Sequence, residues 1–238
     1  MILAGFQPLA SLASSCEGGP HRLSRVMEPF DLVIFDGDGV LVDSERLAVS
    51  VEAQILATLG WPLTEAEIVD RFVGRSASYM HGEIERHLGR KVDWEGDFEN
   101  LYRAAYEREL IPVEGIVEVL DTITIPFCVA SSGSHEKMRF TLGLTGLWDR
   151  FEGRVFSADE VDLGKPEPDL FLYAAQRMGA QPSRCAVIED SASGVAAGLA
   201  AGMQVFAFAS SVTPESLLAR DGVVTFAEMW RLPALLTG

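Results

Sequence analysis

The chain has 238 residues, 48% of them hydrophobic, which is enough for one large or two modest domains with a real core. It carries 19 basic and 35 acidic residues, a net charge of −16. This balance argues against binding nucleic acid or an anionic membrane through the overall field, so a phosphorylated ligand would need local cations. No apolar stretch is long enough to span a membrane.

The first residues and the cysteines carry little chemistry. Residues 1–26 contain no motif and lack the basic start of a secretory signal, so we interpret them as a dispensable extension. Three cysteines show neither a disulfide pattern nor metal-ligand spacing. Cys128 and Cys185 lie in apolar, strand-like runs, which predicts reduced, buried thiols in a cytoplasmic protein.

An apolar run at 32–35 predicts a buried strand, and Asp36 and Asp38 directly follow it. Because side chains alternate along an extended chain, both carboxylates are expected to point the same way. Gly37 and Gly39 allow a sharp turn and the close approach of a ligand. Two ionised carboxylates this close repel each other, and a hard cation would relieve the repulsion. Taken alone, the pair is better explained as a strand that ends in an acidic turn, because two aspartates at this spacing are common.

The next part of the chain has a helical pattern. Thr64 and Glu67 resemble a capping box, and no strand pattern appears before residue 125. The predicted helices lie at 46–59, near 78–88 and near 97–110. The sequence therefore predicts an all-helical insertion over residues 46–112.

Strands alternate with helices after residue 112. The predicted strands are 127–130, 155–156, 186–188, 205–208 and 223–226, and the predicted helices are 135–142, 169–178 and 193–201. This alternation predicts an α/β fold with a doubly wound parallel sheet, whose ligands bind beyond the carboxyl ends of the strands.

Three of those strand ends carry polar residues. Ser131 and Ser132 follow the second strand in a Ser/Gly loop, where hydroxyl and backbone N–H groups before a helix suit an anion. An ordinary loop with a helix cap is the alternative. In Gly164–Asp169 two prolines fix the backbone after Lys165, which suits a fixed charge for phosphate better than a solvated lysine. Asp169 is expected to cap the next helix.

Glu189 and Asp190 form the last polar pair, at the end of strand 186–188. Adjacent acids at a strand end are unfavourable without a counter-ion. Carboxylates of Asp36, Asp190 and Glu189, with a backbone carbonyl at Asp38, would suit an octahedral Mg²⁺ site.

Taken in order, these four strings resemble the motifs of the haloacid dehalogenase (HAD) superfamily over about residues 31–210. The string DGDGVLVDSE at 36–45 matches the nucleophile motif DxDGxxxDSE, and GKPEPD at 164–169 matches the third motif. The insertion resembles the C1 cap of the β-phosphoglucomutase and phosphoglycolate phosphatase branch. Val129–Lys137 and Ile188–Phe208 are most similar to sugar-phosphate phosphatases, including 6-phosphogluconate phosphatases.

The resemblance implies a Rossmannoid core at 27–45 and 113–238 and a cap at 46–112. It also implies a Mg²⁺-dependent phosphatase for a small phosphorylated metabolite, a sugar phosphate or phosphosugar acid, working as a monomer or weak dimer. Asp36 would be the nucleophile that forms an aspartyl phosphate, and Asp38 the acid and base. The implied phosphate-binding residues are Ser131, Ser132 and Lys165, and the implied metal site comprises Asp36, Asp38, Glu189 and Asp190.

Two residues are candidates for substrate specificity. Arg75 lies in Phe72–Ser76, where the family places a substrate-contacting loop, and could bind an anionic or hydroxylated substrate end. A solvated arginine is the alternative. His135 is a candidate neighbour of the site.

Competing functions differ from this pattern at particular positions. The β-phosphoglucomutase pattern has a His twelve residues after the nucleophile, where this chain has Ala48, and a cap Arg where it has Ala77. Both departures favour hydrolysis. The dehalogenase branch lacks the second aspartate, so Asp38 argues against it. A phospho-receiver domain has its acidic pair before the acceptor strand, which contradicts the order here. A catalytically inactive binding protein is a further alternative, although no catalytic position is lost.

Overall fold

The computed structural model describes residues 30–73, 77–94 and 97–237. The predictions for residues 1–26 and for Arg75 lie outside these ranges. The strands are β1 (Leu32–Phe35), β2 (Phe127–Ser131), β3 (Val155–Ser157), β4 (Cys185–Glu189), β5 (Gln204–Phe208) and β6 (Val223–Phe226). The helices are α1 (Ser44–Leu59), α2 (Glu65–Phe72), α3 (Ala77–Leu88), α4 (Asp97–Glu109), α5 (Ile116–Thr122), α6 (His135–Leu144), α7 (Trp148–Phe151), α8 (Asp169–Met178), α9 (Ala192–Ala200), α10 (Glu215–Leu218) and α11 (Leu232–Thr237).

The six strands form one parallel sheet in the order β3-β2-β1-β4-β5-β6. Ile34 of β1 is in register with Cys128 of β2 on one side and with Val187 of β4 on the other. Strand order reverses direction at β1, so the carboxyl ends of β2, β1 and β4 lie side by side. Such a switch point is where open α/β sheets bind ligands.

Both faces of the sheet are buried under helices. Alternate β1 residues separate the two cores: Leu32 and Ile34 pack with α8 and α9, whereas Val33 and Phe35 pack with α5, α6 and α11. Cys128 and Cys185 are free, buried thiols on the α8 side, as predicted. The predicted doubly wound α/β fold is confirmed.

Four helices, α1 to α4, occupy the insertion, and its described residues contain no strand. The capping box of α2 forms as predicted, because Thr64 Oγ1 accepts from the backbone N–H of Glu67 at 3.3 Å and Thr64 N–H donates to the Glu67 carboxylate at 2.8 Å. Leu47 of α1 and Leu110, which directly follows α4, join the core cluster that includes Val33 and Phe35. The division into a core and a cap at residue 46 stays a prediction, and α1 itself begins at Ser44.

No helix in the described part of the chain is both long enough and apolar enough to cross a bilayer.

Close packing of α9 on the sheet gives a test of the fold. A methyl group at Gly198 would lie 2.7 Å from Val205 Cγ2, so Gly198→Ala is expected to lower the free energy of unfolding by about 1–3 kcal/mol. Gly82→Ala is the matched control, because Gly82 lies within α3 and has open space around it. It should raise stability by up to about 1 kcal/mol. Urea unfolding measures both changes, and equal stability of the two variants would contradict this packing.

Candidate active site

The polar strand ends meet in a cleft of about 460 Å³. β1, β2 and β4 each deliver residues to its wall, and the loop before α8 delivers Lys165. The residues lining the cleft are Asp36, Asp38, Glu45, Val73, Ser131, Ser132, Lys165, Pro166, Glu189, Asp190, Ser191, Ser193 and Thr213. The structure therefore brings together the residues from all four predicted motifs.

Lys165 lies at the centre of this arrangement, with its side chain only 3% exposed. Its Nζ donates to Asp36 Oδ1 at 2.5 Å and to Glu189 Oε1 at 2.6 Å. Burial lowers the pKa of Lys165, but the carboxylates of Asp36 and Glu189 outweigh burial and hold it above its usual value. The lysine is therefore a fixed positive charge at the base of the cleft.

Glu189 is fully buried. Its second carboxylate oxygen accepts hydrogen bonds from Ser191, the residue just before α9. Ser191 donates to Glu189 Oε2 from its backbone N–H at 2.8 Å and from its hydroxyl at 2.9 Å. The Ser191 hydroxyl also accepts from the N–H of Gly194, which caps α9. A side chain at Gly194 would overlap the Glu189 carboxyl, so this position needs glycine. The sequence reasoning missed Ser191 because a serine before a small-residue helix resembles an ordinary cap.

Three buried carboxylates could hold a metal ion. Oxygen atoms of Asp36, Glu189 and Asp190 lie within 4.8 Å of one another. Burial raises the pKa of Asp36 to about 7, with Lys165 opposing and Glu189 reinforcing the shift. Burial, Glu189 and Asp36 raise the pKa of Asp190 well above its usual value. A hard divalent cation would relieve this cost, so the donor set fits Mg²⁺.

The first motif packs directly on this carboxylate group. Gly39 has a φ of +74°, and a side chain there would overlap the Asp190 carboxyl. The backbone turns back after Asp36, since the N–H of Leu41 donates to the carbonyl of Gly37 at 2.9 Å. This turn brings the backbone around Asp38 close to Asp190, as a carbonyl ligand at Asp38 would require.

The Asp38 side chain lies outside the carboxylate group and has its own partners. Its Oδ1 accepts from the Ser44 hydroxyl at 2.7 Å, and its Oδ2 accepts from Lys137 Nζ at 2.6 Å. Asp36 and Asp38 both line the cleft, but they bind different lysines. Lys137 and Ser44 were absent from the sequence-based site. Lys137 lies 99 residues from Asp38 along the chain, and nothing local indicates the contact.

The loop after β2 is held rigidly. Ser131 is 2% exposed, and its hydroxyl accepts from the N–H of Gly133 at 3.1 Å. The buried Ser157 of β3 donates its hydroxyl to the carbonyl of Gly133 at 2.8 Å, a contact the sequence did not predict. Ser134 caps α6 by accepting from the N–H of Lys137. These contacts fix Ser131 and Ser132 at the cleft, where both were predicted to bind phosphate.

The structure also gives the positions of His135 and Asp169, two further residues named from the sequence. His135 pairs with Glu160 at 2.9 Å, and half of its side chain is exposed. It is not among the residues that line the cleft. The prediction that Asp169 caps α8 is wrong: Pro168 takes helical backbone angles and is the N-cap, so Asp169 is already the first helical residue.

Comparison with known proteins agrees with this geometry. A family model described as haloacid dehalogenase-like hydrolase matches residues 30–202. The chain is 30% identical over 213 residues to the 6-phosphogluconate phosphatase of Escherichia coli K12, which covers 88% of this chain and 96% of that protein. It is 33% identical over 189 residues to hexitol phosphatase A of the same organism, covering 73% and 81%.

A solved structure supports the same relationship. A haloacid dehalogenase-like protein from Agrobacterium tumefaciens superposes with a TM-score of 0.80 at 33% identity, covering 87% of this chain and 97% of that one. The chain belongs to the haloacid dehalogenase-like hydrolase family. Within that family it is a phosphoric monoester hydrolase, as its sequence predicted.

The raised pKa of Asp190 predicts a pH-dependent effect of Asp190→Asn on the metal-free protein. Because the folded protein holds a proton that the unfolded chain releases, the aspartate costs stability as the pH rises through its ordinary value toward its raised folded value. Asparagine avoids this cost. The variant should therefore gain more in Tm over wild type at pH 8 than at pH 5, measured by thermal unfolding in EDTA.

The matched control is Asp121→Asn, which changes an exposed carboxylate that pairs with Arg150 and does not line the cleft. The Tm difference between this variant and wild type should be the same at pH 5 and at pH 8. Saturating Mg²⁺ should reverse the order at pH 8, because a cation bound at this donor set would stabilise wild type through Asp190. If the two variants behave alike under all conditions, Asp190 is not a costly buried carboxylate.

Proposed function

We propose that the protein is a Mg²⁺-dependent phosphatase of phosphorylated sugars, sugar acids or polyols that works through an aspartyl phosphate on Asp36. The observation that carries the proposal is the buried Lys165 between Asp36 and Glu189, with Asp190 beside them and Asp38 two residues along the chain. We assign to these residues, which surround one cleft, the roles of nucleophile, proton carrier, fixed cation and metal-ligand set.

The positions of these side chains support the following reaction. An Asp36 oxygen attacks phosphorus, while protonated Asp38 gives its proton to the leaving oxygen as the ester P–O bond breaks. Water then attacks the phosphorus of the aspartyl phosphate, Asp38 takes up its proton, and the bond from phosphorus to Asp36 breaks. Lys165 balances charge on the phosphoryl oxygens, and Ser131 with the backbone N–H of Ser132 orients them.

The metal site would be formed by Asp36, Glu189 and Asp190, with Asp38 contributing its backbone carbonyl as a ligand. When bound there, Mg²⁺ would offset the charge of the carboxylates and of the phosphoryl group. Hydrolysis is favoured over transfer back to a sugar, because Ala48 and Ala77 stand where the mutase pattern has polar residues.

The names of two relatives guide the substrate class. Those relatives are a 6-phosphogluconate phosphatase and a hexitol phosphatase. We extend this chemistry to the present chain as a phosphate ester on a hydroxylated carbon chain, with helices α1 to α4 closing over it and Arg75 contacting the leaving group. We also place the enzyme in the cytoplasm as a monomer or weak dimer. Its two buried free thiols fit a reducing compartment.

Asp36→Asn is expected to reduce phosphate release from a sugar phosphate to less than about a hundredth of the wild-type rate, since a carboxamide cannot serve as the nucleophile. Inorganic phosphate release over a panel of sugar phosphates, 6-phosphogluconate and hexitol phosphates measures the loss. Asp221→Asn, at an exposed position, is the control and should retain the wild-type rate. A residual rate near wild type in the Asp36 variant would refute the assignment of the nucleophile.

Removal of the metal should abolish activity, because the cleft then holds three buried carboxylates against Lys165 alone. Activity in excess EDTA is expected to be at background, and Mg²⁺ or Mn²⁺ should restore it. Calcium should bind but inhibit, because its larger and looser coordination shell misplaces the nucleophile. Phosphate release with each added ion tests this, and full activity in EDTA would contradict the metal site.

A further inference from the structure

We propose that Lys137 is a positioning residue for proton transfer, which holds the Asp38 carboxylate in place so that it can serve the leaving oxygen. The proposal rests on the proposed function, since it needs Asp38 to be the proton carrier. Lys137 lies in the first turn of α6, and its Nζ is 2.6 Å from Asp38 Oδ2. Of the three lysines in the chain, Lys137 and Lys165 bind carboxylates that line the cleft, and Lys91 pairs with Glu85 on the surface of the insertion.

The backbone of Lys137 is anchored on both sides. Its N–H donates to the Ser134 hydroxyl at 3.2 Å, and its carbonyl accepts from the Thr141 hydroxyl at 3.1 Å. The first bond caps the start of α6 at the end of the loop after β2, and the second lies within α6. The lysine side chain therefore leaves from a defined point and must cross that loop to reach Asp38.

Gly133 provides the space for this crossing. A methyl group at position 133 would lie 3.2 Å from Lys137 Cδ and 3.9 Å from Asp38 Oδ2. The first distance is shorter than an ordinary van der Waals contact, so a side chain at 133 would press on the aliphatic part of the lysine. The glycine of the Ser/Gly loop thus has a second use besides exposing N–H groups, which is to let Lys137 approach Asp38.

Both oxygens of Asp38 are engaged at once. The Ser44 hydroxyl, buried at 1% exposure, binds Oδ1, and Lys137 binds Oδ2. Two donors on opposite oxygens restrict the rotation of the carboxyl group more than either donor alone would. Proton transfer needs the carboxyl oxygen within about 2.6–3.2 Å of the leaving oxygen, and small displacements are costly.

The neighbouring carboxylates of Asp38 and Glu45 also favour a cation beside Asp38. Glu45 lines the cleft with no cation bonded to it in the described structure, and burial and the Asp38 charge raise its pKa, with Lys137 opposing them. Lys137 is therefore the positive group that reduces repulsion between Asp38 and Glu45. Lys165 binds Asp36 and Glu189, whereas the Lys137 ammonium binds Asp38, so the two lysines serve different carboxylates of the cleft.

Substrates with different leaving groups distinguish a role of Lys137 in proton transfer from a role in binding the phosphoryl group. A sugar alkoxide leaves poorly without a proton, whereas p-nitrophenolate is a stable anion that leaves without one. In Lys137→Met, kcat/KM for the best sugar phosphate should fall about tenfold or more, as expected for impaired general acid catalysis. For p-nitrophenyl phosphate it should stay within about threefold of wild type. The inhibition constant of inorganic phosphate should stay within about twofold of the wild-type value.

Lys91→Met is the matched control. Lys91 Nζ pairs with Glu85 Oε2 at the same 2.6 Å, but its side chain is 91% exposed and remote from the cleft. This variant should leave kcat/KM for both substrates unchanged. Lys137→Arg, which keeps a charged donor, should recover most of the lost activity on the sugar phosphate. If Lys137→Met does not fold, Lys137→Gln gives the same comparison of substrates.

The outcomes separate the possibilities. A selective loss on the sugar phosphate supports the proposal. Equal losses on both substrates, or a weaker affinity for phosphate, would show that Lys137 binds the phosphoryl group and would overturn it. No loss on either substrate would also overturn it. If wild type releases no phosphate, or Asp36→Asn keeps its rate, the proposed function itself fails, whatever the Lys137 variants show.

Discussion

The buried ammonium of Lys165, shared by Asp36 and Glu189 at 2.5 and 2.6 Å, is the contact on which the site depends. Without it, neighbouring carboxylates would face each other in a dry setting, which costs several kcal/mol per uncompensated charge. The parallel register of β1 and β4 puts Phe35 opposite Ile188, so Asp36 and Glu189 leave the sheet together. The loop before α8 then needs only to bring one lysine to both acids.

Glycine and serine residues near the buried ammonium determine how the neighbouring carboxylates are arranged. Gly39 and Gly194 leave no side chain where the Asp190 and Glu189 carboxyls lie, so neighbouring backbone can close over the acids. Ser191 binds the remaining oxygen of Glu189 while it caps α9. Helix placement and site geometry are therefore linked, because the bonds that start α9 also orient a carboxylate.

The sequence predicted most of the fold, and the reasons are local. Short apolar runs predicted β1 and β6 with their observed limits, and the helical pattern predicted α8 with its observed limits, because tertiary context did not oppose these local patterns. The four motifs placed the cleft residues at strand ends. Lys137 and Ser157 were not predicted, because their partners, Asp38 and Gly133, are distant in the chain. The side chains of Asp36 and Asp38 were predicted to point the same way, but they have different partners. The reason is that the backbone turns at the glycines, where the alternation of an extended strand no longer holds.

The strong acidity of the chain is consistent with phosphate chemistry once charges are counted locally. Within the carboxylate group, Asp36, Glu189 and Asp190 bring three formal negative charges, and Lys165 brings one positive charge. A divalent cation bound there would balance the remaining two, which a monovalent ion would not do. A phosphate dianion would then meet a nearly neutral group of charges instead of an acidic one. In the proposed function, metal and phosphate binding would therefore be coupled by charge balance at the site, and the net charge of −16 on the whole chain would have little bearing on either.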